Sequence, residues 1–256
     1  MIRKNPIKQR LKNGEAVFGT FARCSDPAVV EVLGFAGFEF IIIDNEHTAM
    51  DQENMVNLIR AAELNGMVAT VRIRQKNAAE ILRALDSGAL GVQVPQVDTA
   101  EQARQIARWT KYAPEGERGY AASQRSAGYG SIDPVEYARL SNENVLTVCY
   151  CETKESVDNL AEILKVEGVD VIFIGPFDLS QAYGVIGQPN HPKVIEVIES
   201  IIKKTRATGK AAGIIASDAP STKKWIEKGA QYFAISSDTG LVLSGGKTIL
   251  KDLLAK

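Results

Sequence analysis

The chain is short of the residue types that anchor several classes of function. Its 256 residues include three cysteines and two histidines, and aromatic residues make up 7%. Cys24, Cys149 and Cys151 are too few, and odd in number, for a disulfide scaffold; they fit a reducing cytoplasm. The formal net charge is −1, so there is no excess positive charge to hold nucleic acid or an anionic membrane. No apolar run approaches the roughly 18 residues of a membrane span. The start, Met1-Ile2-Arg3-Lys4-Asn5-Pro6, is charged where a secretory signal would be apolar. These absences point to a cytoplasmic protein that handles a small molecule.

What is present is an ordinary globular composition, 45% hydrophobic and 24% charged, with enough apolar material for a sizeable core. Continuous apolar runs alternate with amphipathic stretches. Strands are expected at Val17–Phe21, Phe38–Ile43, Met67–Ile73, Leu90–Val94, Val145–Cys151, Val169–Ile174, Ala211–Ile215 and Tyr232–Ile235. Such runs suit strands buried on both faces. Helices are expected at Asp51–Asn65, Ala78–Ser87, Lys154–Val166, Pro192–Thr208 and Ala219–Lys228, several stopped by a glycine. Thr99-Ala100-Glu101-Gln102 reads as a capping box that opens another. Eight strand–helix units in one chain of this size predict a (β/α)8 TIM barrel, a single domain over residues 1–256. A doubly wound sheet is the alternative, though it more often has fewer strands. Lys111 to Glu136 is the one long irregular segment, of the kind that forms binding loops. Ser244-Gly245-Gly246-Lys247-Thr248 looks like a phosphate-binding loop, but its first glycine would fall at Leu241 and no βαβ unit follows.

In a parallel barrel the strand carboxyl ends form the working face, and the polar residues there are distinctive. Glu152 closes one apolar run, and Asp178 follows the next by a Gly-Pro turn. Two carboxylates on consecutive strands suit a hard divalent cation that keeps several waters; alternatively each merely caps a helix. Arg72 ends a strand of Val and Ala, where it can stabilise an oxyanion or grip a carboxylate, or form a structural ion pair with Asp44 or Asp86. Arg74, two residues on, reads as solvated. His47, in Asp44-Asn45-Glu46-His47 just past a strand end, is placed as a proton shuttle, and Asp86 could orient it. His191, before Pro192, reads as a surface residue. Cys149 and Cys151 share one face of a strand. A zinc site would need more partners, whereas two small residues packed under a helix need none. Together the polar groups suggest a cation that binds a 2-keto acid, a base beside it, and an arginine that stabilises the enolate.

Phe40-Ile41-Ile42-Ile43-Asp44-Asn45-Glu46-His47, Val71-Arg72, Leu85-Asp86-Ser87-Gly88-Ala89, Val94-Pro95-Gln96-Val97-Asp98, Pro114-Glu115-Gly116-Glu117-Arg118-Gly119, Glu152 and Ile174-Gly175-Pro176-Phe177-Asp178-Leu179-Ser180 run in one order along nearly the whole chain. In that order they resemble the HpcH/HpaI family of class II pyruvate-dependent aldolases. The resemblance implies a phosphoenolpyruvate/pyruvate-type TIM barrel with Glu152 and Asp178 as ligands of Mg²⁺, Mn²⁺ or Co²⁺. It implies His47 as base acting through a bound water, Asp86 as the residue that raises its basicity, and Arg72 as stabiliser of the enolate. The backbone N–H groups of Phe177 and Asp178 would receive the pyruvate carboxylate. It also implies a homo-oligomer, a hexamer built as a trimer of dimers, in which the last helix crosses to a neighbour.

The chain departs from the family at five places, one being Tyr120-Ala121-Ala122-Ser123 where a glycine-rich stretch usually follows Arg118-Gly119. Tyr150 stands where the family has a substrate-contacting Gln, and Asn45 where it has Gly. Ser236 replaces a common Gly near the last strand, and Gly245-Gly246 interrupts the final helix pattern. The expected activity is retro-aldol cleavage of a 4-hydroxy-2-oxo acid to pyruvate and an aldehyde. The rivals are decarboxylation of oxaloacetate through the same enolate, and a non-catalytic barrel that binds a keto acid. The intact set His47, Arg72, Asp86, Glu152 and Asp178 argues against the last.

Overall fold

Eight parallel strands close into a barrel: β1 (Val17–Ala22), β2 (Phe40–Asp44), β3 (Val68–Arg72), β4 (Gly91–Val94), β5 (Leu146–Cys151), β6 (Val171–Ile174), β7 (Ala211–Ala216) and β8 (Tyr232–Ser237). Sequence neighbours pair in order, and β8 returns to β1. The computed structural model describes residues 4–254. Residues 1–3, part of the charged start read above as no secretory signal, and residues 255–256 lie outside that range. Among the described residues no helix is long and apolar enough to cross a membrane.

Strand alternation divides the apolar residues into two layers. Phe40 and Ile42 of β2, Val148 and Tyr150 of β5, and Val171 and Phe173 of β6 fill the barrel. Their neighbours Ile41, Ile43, Cys149, Cys151, Ile172 and Ile174 pack against the surrounding helices. The two cysteines are therefore small core residues under helices. Each fully buried Val, Leu, Ile or Phe contributes about 1.5–3 kcal/mol. One feature without a forecast in the sequence pattern is the helix Pro6–Lys12. Pro6 fits its first position and the Asn5 side chain caps it by accepting the Lys8 N–H. It adds Ile7 and Leu11 to the barrel interior and closes the N-terminal end.

Three expected elements differ. The helix over 154–166 is two short helices, Lys154–Asp158 and Leu160–Ile163. Asn159 lies between them, and its side-chain amide donates to the Asp98 carbonyl at 2.8 Å. The irregular segment is less irregular than its composition implies. A 3-10 stretch, Arg125–Gly130, leads into the helix Pro134–Asn144. Tyr112, Ala127 and Tyr137 form a small core of their own there, and the Arg118 guanidinium sits 4.5 Å from the Tyr112 ring centre. Finally, Gly245 and Gly246 do not interrupt the last helix, which runs unbroken from Asp238 to Leu254. Ser244–Thr248 accordingly lies inside a helix and forms no loop.

Candidate active site

The alternation that fills the barrel also aims its last polar residues. On β2 the inward positions are 40, 42 and 44, on β3 they are 68, 70 and 72, and on β5 they are 146, 148 and 150, with Glu152 next in phase. Asp44 and Arg72 are direct partners across β2 and β3, and Arg72 and Gln93 across β3 and β4. Side chains far apart in sequence are thereby stacked around one mouth. A cleft of about 690 Å³ opens there, lined among others by Phe21, Arg23, His47, Arg72, Tyr150, Glu152 and Asp178.

Arg72 is nearly buried and rigidly held. Its Nε donates to Asp44 Oδ1 at 3.0 Å and its Nη2 to Asp44 Oδ2 at 2.7 Å. Nη1 lies 3.1 Å from Glu46 Oε2, and the Phe21 ring packs 4.8 Å from the guanidinium carbon. The Asp44 pair left open by the sequence thus exists, and it fixes the guanidinium rather than replacing its role. Burial opposes ionisation of Asp44, but the hydrogen bonds and charge of Arg72 outweigh it and hold the carboxyl below its usual range. Glu46 moves the other way, pushed up chiefly by burial although Arg72 and His47 oppose this.

Glu152 and Asp178 converge. A side-chain carbon added to Gly175 would lie 2.6 Å from Glu152 Oε2 and 3.1 Å from Asp178 Oδ2. Both oxygens therefore flank one small space that glycine leaves open. Burial and then the nearby Asp178 charge push Glu152 up to about 8. Its Oε1 accepts the Gln96 N–H at 2.9 Å, leaving Oε2 for another partner. Two adjacent acids with one of them forced towards protonation form a site that a cation would relieve. Among the described residues there is no cluster of three or more His, Cys, Asp or Glu ligands. A cation here would take its remaining ligands from water and substrate oxygens, which suits Mg²⁺ or Mn²⁺ better than zinc.

The other expected residues fall out as follows. His47 is exposed at the rim, its Nε2 3.6 Å from Glu46 Oε2. Phe177 and Asp178 occupy the first turn of the helix Pro176–Ala182, where backbone N–H groups have no acceptor in their own helix. Tyr150 borders the cleft with its ring, but its hydroxyl points into the barrel and donates to Gln93 Oε1 at 2.7 Å. Gln93 in turn donates to Thr70 and Tyr232 hydroxyls at 2.9 Å each. Asp86 is not brought to His47 within the chain. It ends the helix Ala78–Asp86, which leads into the start of β4, whereas His47 follows the end of β2. The two therefore belong to opposite ends of the barrel, and Asp86 Oδ1 is 2.6 Å from Arg118 Nη2. His191 caps the helix Pro192–Ala207, in keeping with its reading as a bystander. Sequence reasoning did not assign Glu46, Gln93 or Arg23 to the site. The signals were a polar residue inside an apolar strand for Gln93, and position just beyond a strand end for Arg23 and Glu46.

A sequence profile of the HpcH/HpaI aldolase/citrate lyase family matches residues 17–245. The chain is 37% identical over 238 residues to a 2-keto-3-deoxy-L-rhamnonate aldolase of Salmonella gallinarum, covering 93% of this chain and 88% of that one. It is 35% identical over 246 residues to a hydroxypyruvate/pyruvate aldolase of Roseobacter denitrificans, covering 96% and 95%. A crystal structure of an HpcH/HpaI aldolase/citrate lyase family protein from Burkholderia cenocepacia superposes with a TM-score of 0.93 at 28% identity, over 98% of this chain and 99% of that one.

Proposed function

The chain belongs to the HpcH/HpaI aldolase/citrate lyase family and is a carbon–carbon lyase of the aldolase kind, and we propose that it cleaves a 4-hydroxy-2-oxo acid to pyruvate and an aldehyde with the aid of a divalent cation. The observation that carries this reading is the convergence of Glu152 and Asp178 on Gly175 in the cleft that Arg72 also lines. When bound between those carboxylates, Mg²⁺, Mn²⁺ or Co²⁺ would polarise the keto group and acidify the carbon next to it.

The chain's own groups divide the remaining work. Arg72 has five N–H donors. Those not engaged by Asp44 and Glu46 are free for the oxygen on which negative charge develops, and the guanidinium needs no rearrangement to meet it. His47, acting through a bound water, takes the proton of the 4-hydroxyl as the C3–C4 bond breaks. The electron pair of that bond passes towards the keto oxygen, the aldehyde leaves, and a proton returned to C3 completes pyruvate. The first-turn N–H groups of Phe177 and Asp178 hold the substrate carboxylate. The Tyr150 ring forms a wall of the pocket.

Asp86 can act on His47 only from a second copy of the chain, because its own His47 lies at the other end of the barrel. A homo-oligomer is supported by the last helix, which exposes Val242, Leu243, Ile249, Leu250, Leu253 and Leu254. A trimer of dimers would provide such contacts. The three cysteines are unpaired, which supports placement in the cytoplasm.

The test is exchange of pyruvate methyl protons in D₂O. Added Mg²⁺ or Mn²⁺ should support exchange, and a chelator should stop it. Pyruvate bound without exchange would instead indicate a binding protein. Assaying oxaloacetate beside a panel of 4-hydroxy-2-oxo acids separates decarboxylation from aldol cleavage.

A further inference from the structure

The cleft continues past the groups assigned above, to the seam where β8 closes on β1. Glu152, Asp178 and Arg72 occupy the β3 to β6 side of the mouth. Beyond them the cleft is lined by Ile215, Ala216 and Ser217 at the end of β7 and by Phe21, Arg23, Ser236 and Ser237 at the seam, which is space available to the aldehyde half of the substrate.

That seam is irregular. Gly19 pairs with Ala234 and Phe21 with Ser237. A single residue of β1, Thr20, thus faces two of β8, Ile235 and Ser236. Ser236 has φ 56°, a left-handed conformation that suits glycine and strains serine. In a regular strand Ser236 and Ser237 would point to opposite faces. Here both line the cleft, the kind of re-aiming that a β-bulge beside an active site produces. The surroundings hold the bulge in place. Buried Asp238 accepts the N–H groups of Arg23 and Cys24 at 2.8 Å each. Gly240 leaves room for the serine, since a side-chain carbon there would lie 2.5 Å from Ser236 Oγ.

The two hydroxyls differ in what they do. Ser237 Oγ is engaged by Thr239 Oγ1 at 3.0 Å and by the Gly240 N–H at 3.1 Å. Ser236 Oγ has no hydrogen-bond partner among the described residues. Ser236 thus lines the cleft in a strained backbone conformation, whose cost a ligand contact would offset. The nearby cations do not favour an acidic group, because Arg23 and Arg72 both already face buried Asp44.

We infer that Ser236 determines acceptor specificity: its hydroxyl binds a hydroxyl of the aldehyde, so that 2-hydroxyaldehydes are preferred over unsubstituted aldehydes of the same size. This rests on the lyase reading above. The experiment compares aldol addition of pyruvate to glycolaldehyde and to propanal, which match in heavy atoms. The cation-loaded full chain is used as wild type, Ser236→Gly, Ser236→Ala and Ser236→Asn, each normalised to pyruvate methyl exchange in the same sample. The kcat/KM ratio of glycolaldehyde to propanal should fall about three- to tenfold in the Gly and Ala variants, as loss of one hydrogen bond predicts. It should recover in part with Asn, which tolerates the left-handed conformation and restores a polar group. Because Ser236→Gly relieves the strain, it remains folded even where Ser236→Ala does not. An unchanged ratio overturns the inference, as does a preference for succinic semialdehyde over both aldehydes. A wild type that exchanges no pyruvate protons overturns the lyase reading itself, and the inference with it.

Discussion

At the scale of single residues, burial decides what each polar group does. Arg72 and Asp44 form a bidentate pair in which Asp44 is fully buried. Replacing Arg72 with Ala removes the donor for the developing oxyanion and should slow pyruvate exchange by about 10²–10³-fold. It also leaves a buried carboxylate with the longer Arg23 contact and the Glu46 and His47 N–H groups but no bidentate partner, at a stability cost of roughly 3 kcal/mol. The double change Arg72→Ala with Asp44→Asn should recover stability but not exchange. Thermal melts and exchange rates on the same samples separate the two effects, and recovery of exchange would refute the role given to Arg72. Tyr150 makes the opposite case. Its hydroxyl serves Gln93 inside the barrel, so Tyr150→Phe leaves a buried amide oxygen unsatisfied. Stability should drop by about 1–3 kcal/mol while pyruvate exchange changes little. A large loss of exchange without loss of stability would mean that the hydroxyl reaches substrate.

At the scale of elements, the last helix is the informative one. It contains two adjacent glycines yet does not break, and nothing lies within 4 Å of a side-chain carbon added at Gly245 or Gly246. Each glycine costs a helix interior about 0.8–1 kcal/mol relative to alanine. Gly245→Ala and Gly246→Ala should therefore each raise the thermal midpoint, with no steric penalty within the chain. A lower midpoint would show that another surface approaches the helix closely at the glycines, as an interface between copies would. Proline and glycine patterns locate where such a helix is weak; they do not decide whether it ends, because the residues on either side can carry the hydrogen bonds through.

At the scale of the whole molecule, the paired acids link protonation, cation and fold. Burial and the Asp178 charge raise Glu152 from 4.5 to about 8, so the fold favours the protonated acid. That contribution to stability is full below about pH 4.5 and is lost as pH rises through about 8. A bound divalent cation needs the ionised form. The stabilisation by Mg²⁺ or Mn²⁺ should accordingly grow with pH across that window and release a proton on binding. Melting curves from about pH 5 to pH 9, with and without cation, measure it. A cation increment independent of pH would rule out Glu152 as a ligand.

Much of this was legible in the residue order alone. Eight apolar runs spaced by amphipathic stretches specify strands and helices through their periodicity, and strand phase aims Arg72 and Glu152 inward, because alternation is a local rule. Strand ends were legible to within two residues, and Glu152, Asp178, Arg72 and His47 line one cleft. Contacts between residues distant in the chain were decided only by closure of the barrel. The pairing of Asp86 with Arg118, the partners of Gln93 beneath Tyr150, the left-handed Ser236 at the β8–β1 seam and the docking of Pro6–Lys12 across the barrel end are not specified by local pattern. Each depends on which side chains the closed sheet sets within hydrogen-bond or van der Waals reach, and that is a property of the packing rather than of any stretch of sequence.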